Sequence, residues 1–411
     1  MFRICSQPRK LHNAVCRFAT YDSGFWGDET KMANVSKLLY TTTDPECFLK
    51  EISPDEPSIT TLLEAKGKIR RRLKEAFKAT SQEYFGREIT PRFFTQGSYS
   101  YKTLNYPAFP PTQQMDLDDG CYLPLSFVKG EKPSNAAAAF FAFVDAVLEK
   151  LATEENWKFA RKPTCARLII GRDSHIDIPL YAIPDQEFVL LEKAMAEAIF
   201  TANDRRRADS WDELPSDAVL LAHREDDWKI SDPRKIRKWF EQALELYGEK
   251  LRRVCRYLKA WRDQNNGDLD KVSSILLMVC AFNAFEDVGV QNIPAREDEA
   301  LLIVLERLDG YLSGKVANPT DDNENVNRIP AEDRKMVVDR VREFEKRLRV
   351  TIQQCNDPHQ AVDNVQASLG VRVPNRPDLV SVAAASVAKA AVHAQPKKEV
   401  PAPVVGRSTS G

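Results

Sequence analysis

Asp116 and Asp118 stand two residues apart in the run Met115-Asp116-Leu117-Asp118-Asp119-Gly120, and a third acid, Asp177, follows in His175-Ile176-Asp177-Ile178-Pro179-Leu180. On a strand, successive side chains alternate between faces, so Met115 and Leu117 take one face while Asp116 and Asp118 share the other. The same alternation sends Ile176, Ile178 and Leu180 into a core. His175 and Asp177 are left opposite, where Asp177 can join the first pair from a neighbouring strand. Carboxylates gathered in this way repel one another, yet they suit a hard divalent cation such as magnesium or manganese. Two such ions can clamp an in-line phosphoryl displacement by stabilising the attacking and leaving oxygens. Upstream, Phe93-Phe94-Thr95 leads into Gln96-Gly97-Ser98. There a glycine lets the backbone approach a triphosphate, and the N–H groups and the Ser98 hydroxyl can donate to phosphate oxygens.

These groups need a rigid frame. Residues 58 to 86 place Ile59, Leu62, Leu63, Ile69, Leu73 and Phe77 at helical intervals, with Lys66, Lys68, Arg70, Arg71, Arg72 and Lys74 dense between them. The basic run reads either as a solvated helix face or as one that faces an anion. From Arg92 to Tyr181 the texture turns to short strands: Phe93 to Thr95, Met115 to Tyr122, and Arg167 to Ile170. The last joins His175 to Tyr181 through the turn Gly171-Arg172-Asp173-Ser174 as a hairpin. An amphipathic helix, roughly Ala136 to Leu151, lies between, which argues for an α+β domain on a mixed sheet.

The second half is helical. Asp232 before Pro233 marks a capped start, and Ile236, Trp239, Phe240, Ala243, Leu244, Tyr247, Leu251, Val254, Leu258 and Trp261 keep one helical period to about Arg262. Arg252, Arg256, Lys259 and Asp263 fall on the polar side, where a lysine on a rigid helix is a sensible partner for a triphosphate. Ser273 or Ser274 caps a more apolar helix through Phe285, and two more follow at about Asp298 to Leu312 and Ala331 to Gln354. Tyr101 could stack on a base or belong to a core, and His175 reads as a structural hydrogen-bonder more readily than as a catalyst. Asn318-Pro319-Thr320-Asp321-Asp322-Asn323 is a turn.

Composition narrows the field. With 411 residues, 59 Lys+Arg against 60 Asp+Glu and 43% apolar residues, the chain is a globular protein of about two domains. A net charge of -1 gives no long-range field to draw it onto duplex nucleic acid, so any polyanion site is local. No run is long and apolar enough to cross a bilayer, and the first thirty residues lack the apolar stretch of a secretory signal, so a cytoplasmic protein is expected. The 8 cysteines contain no C-x-x-C pair and read as buried reduced thiols, not as a zinc site.

Gly97-Ser98, Asp116-x-Asp118 and the distal Asp177 resemble the signature of polymerase-β-like nucleotidyltransferases. Five longer stretches are similar to the bacterial cGAS/DncV-like nucleotidyltransferases, the CD-NTases: Thr95 to Ser98, Gln114 to Gly120, His175 to Pro184, Ser231-Asp232-Pro233, and Val254 to Asp263. The resemblance spans roughly residues 90 to 285. It implies a mixed-sheet nucleotidyltransferase lobe packed against a C-terminal helical-bundle lobe, and two successive phosphoryl transfers between nucleoside triphosphates. By the family pattern Asp116, Asp118 and Asp177 hold two Mg2+ ions, with Mn2+ as an alternative. Asp177 would help deprotonate the acceptor ribose, and Gln96, Gly97, Ser98 and Lys259 would meet the donor triphosphate. Ser231-Asp232 and Ser274 fall where the family makes nucleotide contacts, and Arg167 where a basic residue faces the acceptor.

The expected boundaries are a basic irregular leader at 1–31, the nucleotidyltransferase lobe at 32–230, the helical lobe at 231–373 and a flexible tail at 374–411, with Met32 as an alternative start. The expected activity is synthesis of cyclic GMP-AMP from ATP and GTP, an alarm for a nucleotide-activated effector in antiphage (CBASS) defence. The tail ending at Gly411 is similar to that of relatives conjugated by a ubiquitin-transfer-like enzyme. Three alternatives stand beside this reading: another cyclic di- or trinucleotide, an oligoadenylate-type linear transferase activated by RNA on the basic run at 66–74, and a non-enzymatic scaffold. No membrane partner is expected.

Overall fold

The computed structural model describes residues 32–85, 88–125, 133–184, 219–225 and 228–383. The leader at 1–31, and Gly411 with the rest of the tail from 384, lie outside them. In chain order the first part holds β1 (Ala33–Asn34), α1 (Ser36–Leu39), α2 (Phe48–Glu51), α3 (Glu56–Phe85), β2 (Arg92–Gln96), α4 (Gly97–Ser100), β3 (Met115–Pro124), α5 (Pro133–Glu154), β4 (Lys158–Arg161), β5 (Cys165–Ile169), β6 (Ser174–Ile183), β7 (Leu220–Leu221) and β8 (Lys229–Ile230). The second holds α6 (Pro233–Tyr247), α7 (Glu249–Gln264), α8 (Ser274–Val288), α9 (Glu297–Ser313), β9 (Ala317–Asn318), β10 (Asp321–Asn325), α10 (Ala331–Gln354), α11 (Pro358–Leu369) and β11 (Ser381–Val382).

The sheet runs β2-β3-β6-β5-β4, with β7 and β8 continuing from the far end of β6. It is mixed, because β3 and β6 pair in parallel while the neighbouring pairs are antiparallel. The expected hairpin is β5–β6, and the strand β4 beside it adds a member that the sequence pattern did not reveal. Leu62, Ala65, Ile69, Leu73 and Phe77 recur at helical spacing on α3, and all are buried in one core with Met115, Leu117, Ile176 and Ile178 of the central strands and Phe140, Val144 and Leu148 of α5. This core fixes the backs of β3 and β6, so their other face is presented as a rigid platform.

Three expectations need correction. The single helix from Pro233 to Arg262 is two, broken at Gly248, whose φ of +69° suits glycine and whose N–H closes the first helix on the Leu244 carbonyl at 2.8 Å. Its apolar period carries across the break, and for that reason the pattern reads as continuous. Residues 32–52, expected in the nucleotidyltransferase lobe, pack instead in the helical core, where Val35, Leu38, Leu39, Phe48 and Ile52 join Tyr257 and Leu301. The expected tail start at 374 gives way to packed chain as far as 383: β11 pairs antiparallel with β1, and Leu379, Val380 and Val382 are buried. Arg376 ties this segment to Asp44 at 2.8 Å.

The polar face of α7 is the seam between the lobes. Arg256 bonds the Asn105 side chain at 2.9 Å and Ser53 Oγ at 2.9 Å, Arg252 reaches the Tyr101 carbonyl at 3.1 Å, and Lys259 Nζ donates to the Thr103 carbonyl at 2.6 Å. Charged side chains make these contacts, so directional bonds help to hold the lobes in register.

Candidate active site

A cleft of about 1490 Å³ opens between the lobes, with Gln96, Gly97, Ser98, Asp116, Asp118 and Lys259 among its lining residues. That exceeds the roughly 300–1,000 Å³ usual for a single small-molecule site.

Register places the acids on its floor. Asp116 lies beside His175 and Asp118 beside Asp177 across the parallel β3–β6 pair, and Arg167 of β5 stands opposite Asp177. Ligand atoms of Asp116, His175 and Asp177 lie within 4.8 Å of one another. Asp118 is not a member of that group, and its carboxylate turns toward Gly97. A Cβ at Gly97 would sit 2.0 Å from Asp118 Oδ2, and its φ is +67°, so both space and backbone require glycine where α4 leaves β2. Arg167 grips Asp177 through Nε and Nη2, each at 2.7 Å. His175 Nε2 stands 3.1 Å from Asp116 Oδ1.

The electrostatics are those of a site short of positive charge. Burial, then the Asp116 and Asp177 charges, push the Asp118 carboxyl well above the ordinary carboxylate range. Asp116 also feels a rise from burial at the floor of the cleft, but His175, Arg167 and Lys259 outweigh it and leave its carboxyl lowered. A divalent cation would relieve the repulsion, and carboxylate oxygens are suitable donors for Mg2+ or Mn2+. The residues present therefore fit such a group.

The phosphate-side residues divide. Ser98 Oγ faces the Asp116 carbonyl at 3.3 Å, and Lys259 is 5% exposed, its ammonium held down to about 8 by burial and then by Arg262. Gln96 is fixed from below: its Nε2 donates to the Tyr181 hydroxyl at 2.9 Å, and Tyr122 stacks on Tyr181 with ring centroids 4.6 Å apart. Ser231 lines the cleft, and so does Ser274, whose hydroxyl accepts from Arg262 at 2.8 Å. Two expected contacts are otherwise engaged. The Asp232 carboxylate caps α6 on Arg234 N at 3.0 Å and binds the Arg234 guanidinium at 2.8 and 2.9 Å, so it acts as a structural cap. The Tyr101 ring packs edge-on against Phe240 with centroids 6.0 Å apart, which favours the core reading over base stacking.

Sequence reasoning missed Gln114 and Arg262, and it read Asn318 to Asn323 as a turn without placing it: the hairpin β9–β10 and the residues after it bring Asn318, Thr320 and Arg328 to the cleft. Gln114 carried a signal: it has the same strand parity as Asp116 and Asp118. Arg262 and the turn are brought to the cleft by the helical lobe, and no local pattern announces that placement.

Two family models match the chain: the nucleotidyltransferase domain of DncV-like cyclic GMP-AMP synthases over residues 91–181, and the C-terminal domain of cyclic GMP-AMP synthases over residues 248–382. A cyclic GMP-AMP synthase of Escherichia coli (strain TW11681) is 33% identical over 335 residues, which is 76% of this chain and 73% of the relative. The chain belongs to the DncV-like nucleotidyltransferase family. A second member, a cyclic GMP-AMP synthase of Vibrio cholerae serotype O1, is 38% identical over 256 residues, 59% of this chain and 57% of the relative. The crystal structure of Vibrio cholerae DncV with its linear intermediate 5' pppA(3',5')pG superposes with a TM-score of 0.71 at 26% identity, covering 86% of this chain and 99% of DncV. The chain thus has the fold of this family, a mixed-sheet lobe with a helical lobe, and it is a nucleotidyltransferase. No described helix is long and apolar enough to cross a membrane.

Proposed function

We propose that this nucleotidyltransferase is a cyclic dinucleotide synthase that joins ATP and GTP into 3'3'-cyclic GMP-AMP, releasing pyrophosphate at each of two transfers. The observation that carries the reading is the cleft itself. Its volume suits two nucleotides, and the acids, the Gly97–Ser98 turn and Lys259 converge on one floor. The relatives named above carry the name of this activity, and DncV has been crystallised with ATP and GTP.

In this reading Asp116, Asp118 and Asp177 hold divalent ions, Mg2+ by preference, and His175 stands among them. When bound, such ions stabilise the attacking and leaving oxygens of the displacement. The remaining work belongs to the chain. Ser98 and the backbone of α4 receive the donor triphosphate, and Lys259 offers a cation from a rigid helix. Gln96, held by its tyrosine pair, keeps the strand end in place. Arg167 takes one lone pair on each Asp177 oxygen and leaves the others for an ion, and the acceptor nucleotide is a second anion that its guanidinium can meet. After the first bond forms, the linear product turns within the cleft and presents its second hydroxyl to the same acids.

The wider assignments belong to the same proposal: a cytoplasmic alarm in antiphage defence, a nucleotide-activated effector, and conjugation at Gly411. The RNA-activated alternative is the less favoured one, because Lys68, Arg70 and Arg72 of the basic run each meet an acid of the same lobe. The test is to incubate the purified chain with Mg2+, ATP and labelled GTP and to resolve phosphatase-resistant products. A cyclic product requiring both nucleotides is expected. Linear chains, or a product from one nucleotide alone, would replace the assignment.

A further inference from the structure

We propose that His175 is a direct ligand of the ion held between Asp116 and Asp177, so that the site offers one imidazole nitrogen among carboxylate oxygens. The inference rests on the reading of this acid cluster as a metal site.

The argument begins at Gln114. Its Nε2 points at two carbonyls, Gly171 O at 3.3 Å and Arg172 O at 3.2 Å, and this fixes which end of the amide faces the other way. The oxygen Oε1 therefore faces His175 Nδ1, at 3.1 Å. An amide oxygen only accepts, so Nδ1 carries a hydrogen and donates it, which leaves Nε2 as the ring nitrogen that can face an ion. That nitrogen belongs to a residue 6% exposed and makes no hydrogen bond, and its neighbour Asp116 Oδ1, 3.1 Å away, makes none either. A ring nitrogen and a carboxylate oxygen that face each other at that distance, buried and with no hydrogen bond closed between them, are spaced as two neighbouring ligands of one cation would be. With Asp177 completing a group whose atoms all lie within 4.8 Å, a small closing movement of the side chains brings all three donors onto one ion. Gln114 then acts as the positioning residue, selecting the tautomer as outer partners of metal-binding histidines do. An imidazole donor also tilts the site toward transition ions relative to Mg2+.

The test is pulsed EPR on the full chain loaded with Mn2+, with and without a nonhydrolysable ATP analogue. The expected result is a nitrogen coupling that changes isotope when the histidines are 15N-labelled. It should vanish in His175→Gln, with Mn2+ binding weakened about tenfold and Mg2+ binding weakened less, and it should persist in His223→Gln, a cleft histidine on another strand end. If His175→Gln folds poorly, the isotope experiment on the unaltered chain with His223→Gln as control still decides. Mn2+ that binds and is lost on Asp116→Asn, yet shows no histidine coupling, overturns the proposal while the acid cluster stands as a metal site. No Mn2+ binding under either condition overturns both.

Discussion

The basic face of α3 and the acidic floor of the cleft are two dense patches of charge in the nucleotidyltransferase lobe, and they have opposite fates. On α3, Arg70 binds the fully buried Asp119 through Nε at 2.6 Å, Lys68 meets Glu155 and Arg72 meets Glu154. The basic run is thus neither a bare solvated face nor an anion platform, because much of it is spent inside its own lobe. On the floor, three aspartates crowd together with Arg167 as the bidentate cation among the described residues, and Asp118 answers by resisting ionisation. Density of charge does not mark a site. Charge left without sufficient counter-charge does, because burial makes that arrangement costly unless a ligand completes it.

This contrast can be broken by substitution. Asp118→Asn keeps the shape of the floor but removes a charge, and turnover should fall about a thousandfold, the scale of losing one electrostatic stabiliser, with the melting temperature held or raised as repulsion eases. A steady-state assay beside a thermal melt reads both; unchanged turnover would mean that the acids do not act together. Arg70→Ala should do the reverse. It strands a buried carboxylate and costs about 3 kcal/mol of stability, seen as a lower denaturant midpoint, while turnover per folded molecule stays near that of the parent.

Lys259 sharpens the comparison through pH. Burial, then Arg262, lowers its value from 10.5 to about 8, so the folded chain sheds this proton before the unfolded one does. The ammonium is present below about 8 and lost above it. Triphosphate binding, measured by calorimetry, should therefore weaken by up to about tenfold from pH 7 to 9, the scale of one hydrogen bond to a charged group, and Lys259→Met should flatten that decline. The same sign makes the folded state gain stability between about pH 8 and 10.5, where the unfolded chain still binds the proton. Smallest of all, Arg72→Ala should leave the denaturant midpoint unmoved, since both members of its pair are well exposed to water.

Much of the site was legible because strand alternation is local. Parity alone put Asp116, Asp118, His175 and Asp177 on one face, and a glycine between a strand and a polar turn marked the place where the backbone meets Asp118 most closely. Asp232 shows the limit of that reading. A carboxylate before a proline signals a helix cap correctly, but the motif around it also suggested a ligand, and only the Arg234 guanidinium folded back on it shows that its oxygens are taken. Tyr101 is similar, since a ring beside a glycine turn has no partner until α6 brings Phe240 against it.

By itself the sequence determined which face each strand residue takes, where most helices begin and end, and which side chains are chemically suited to phosphate and metal, because those follow from periods of two and 3.6 residues and from side-chain chemistry. Tertiary structure alone decided that residues 32–52 and 376–383 close around the helical lobe, that the polar face of α7 joins the lobes, and that Arg167 grips Asp177 while Asp118 leans toward Gly97. Each of these depends on contacts between segments far apart in the chain, whose pairing is set by the shape of two whole lobes and leaves no local period to read.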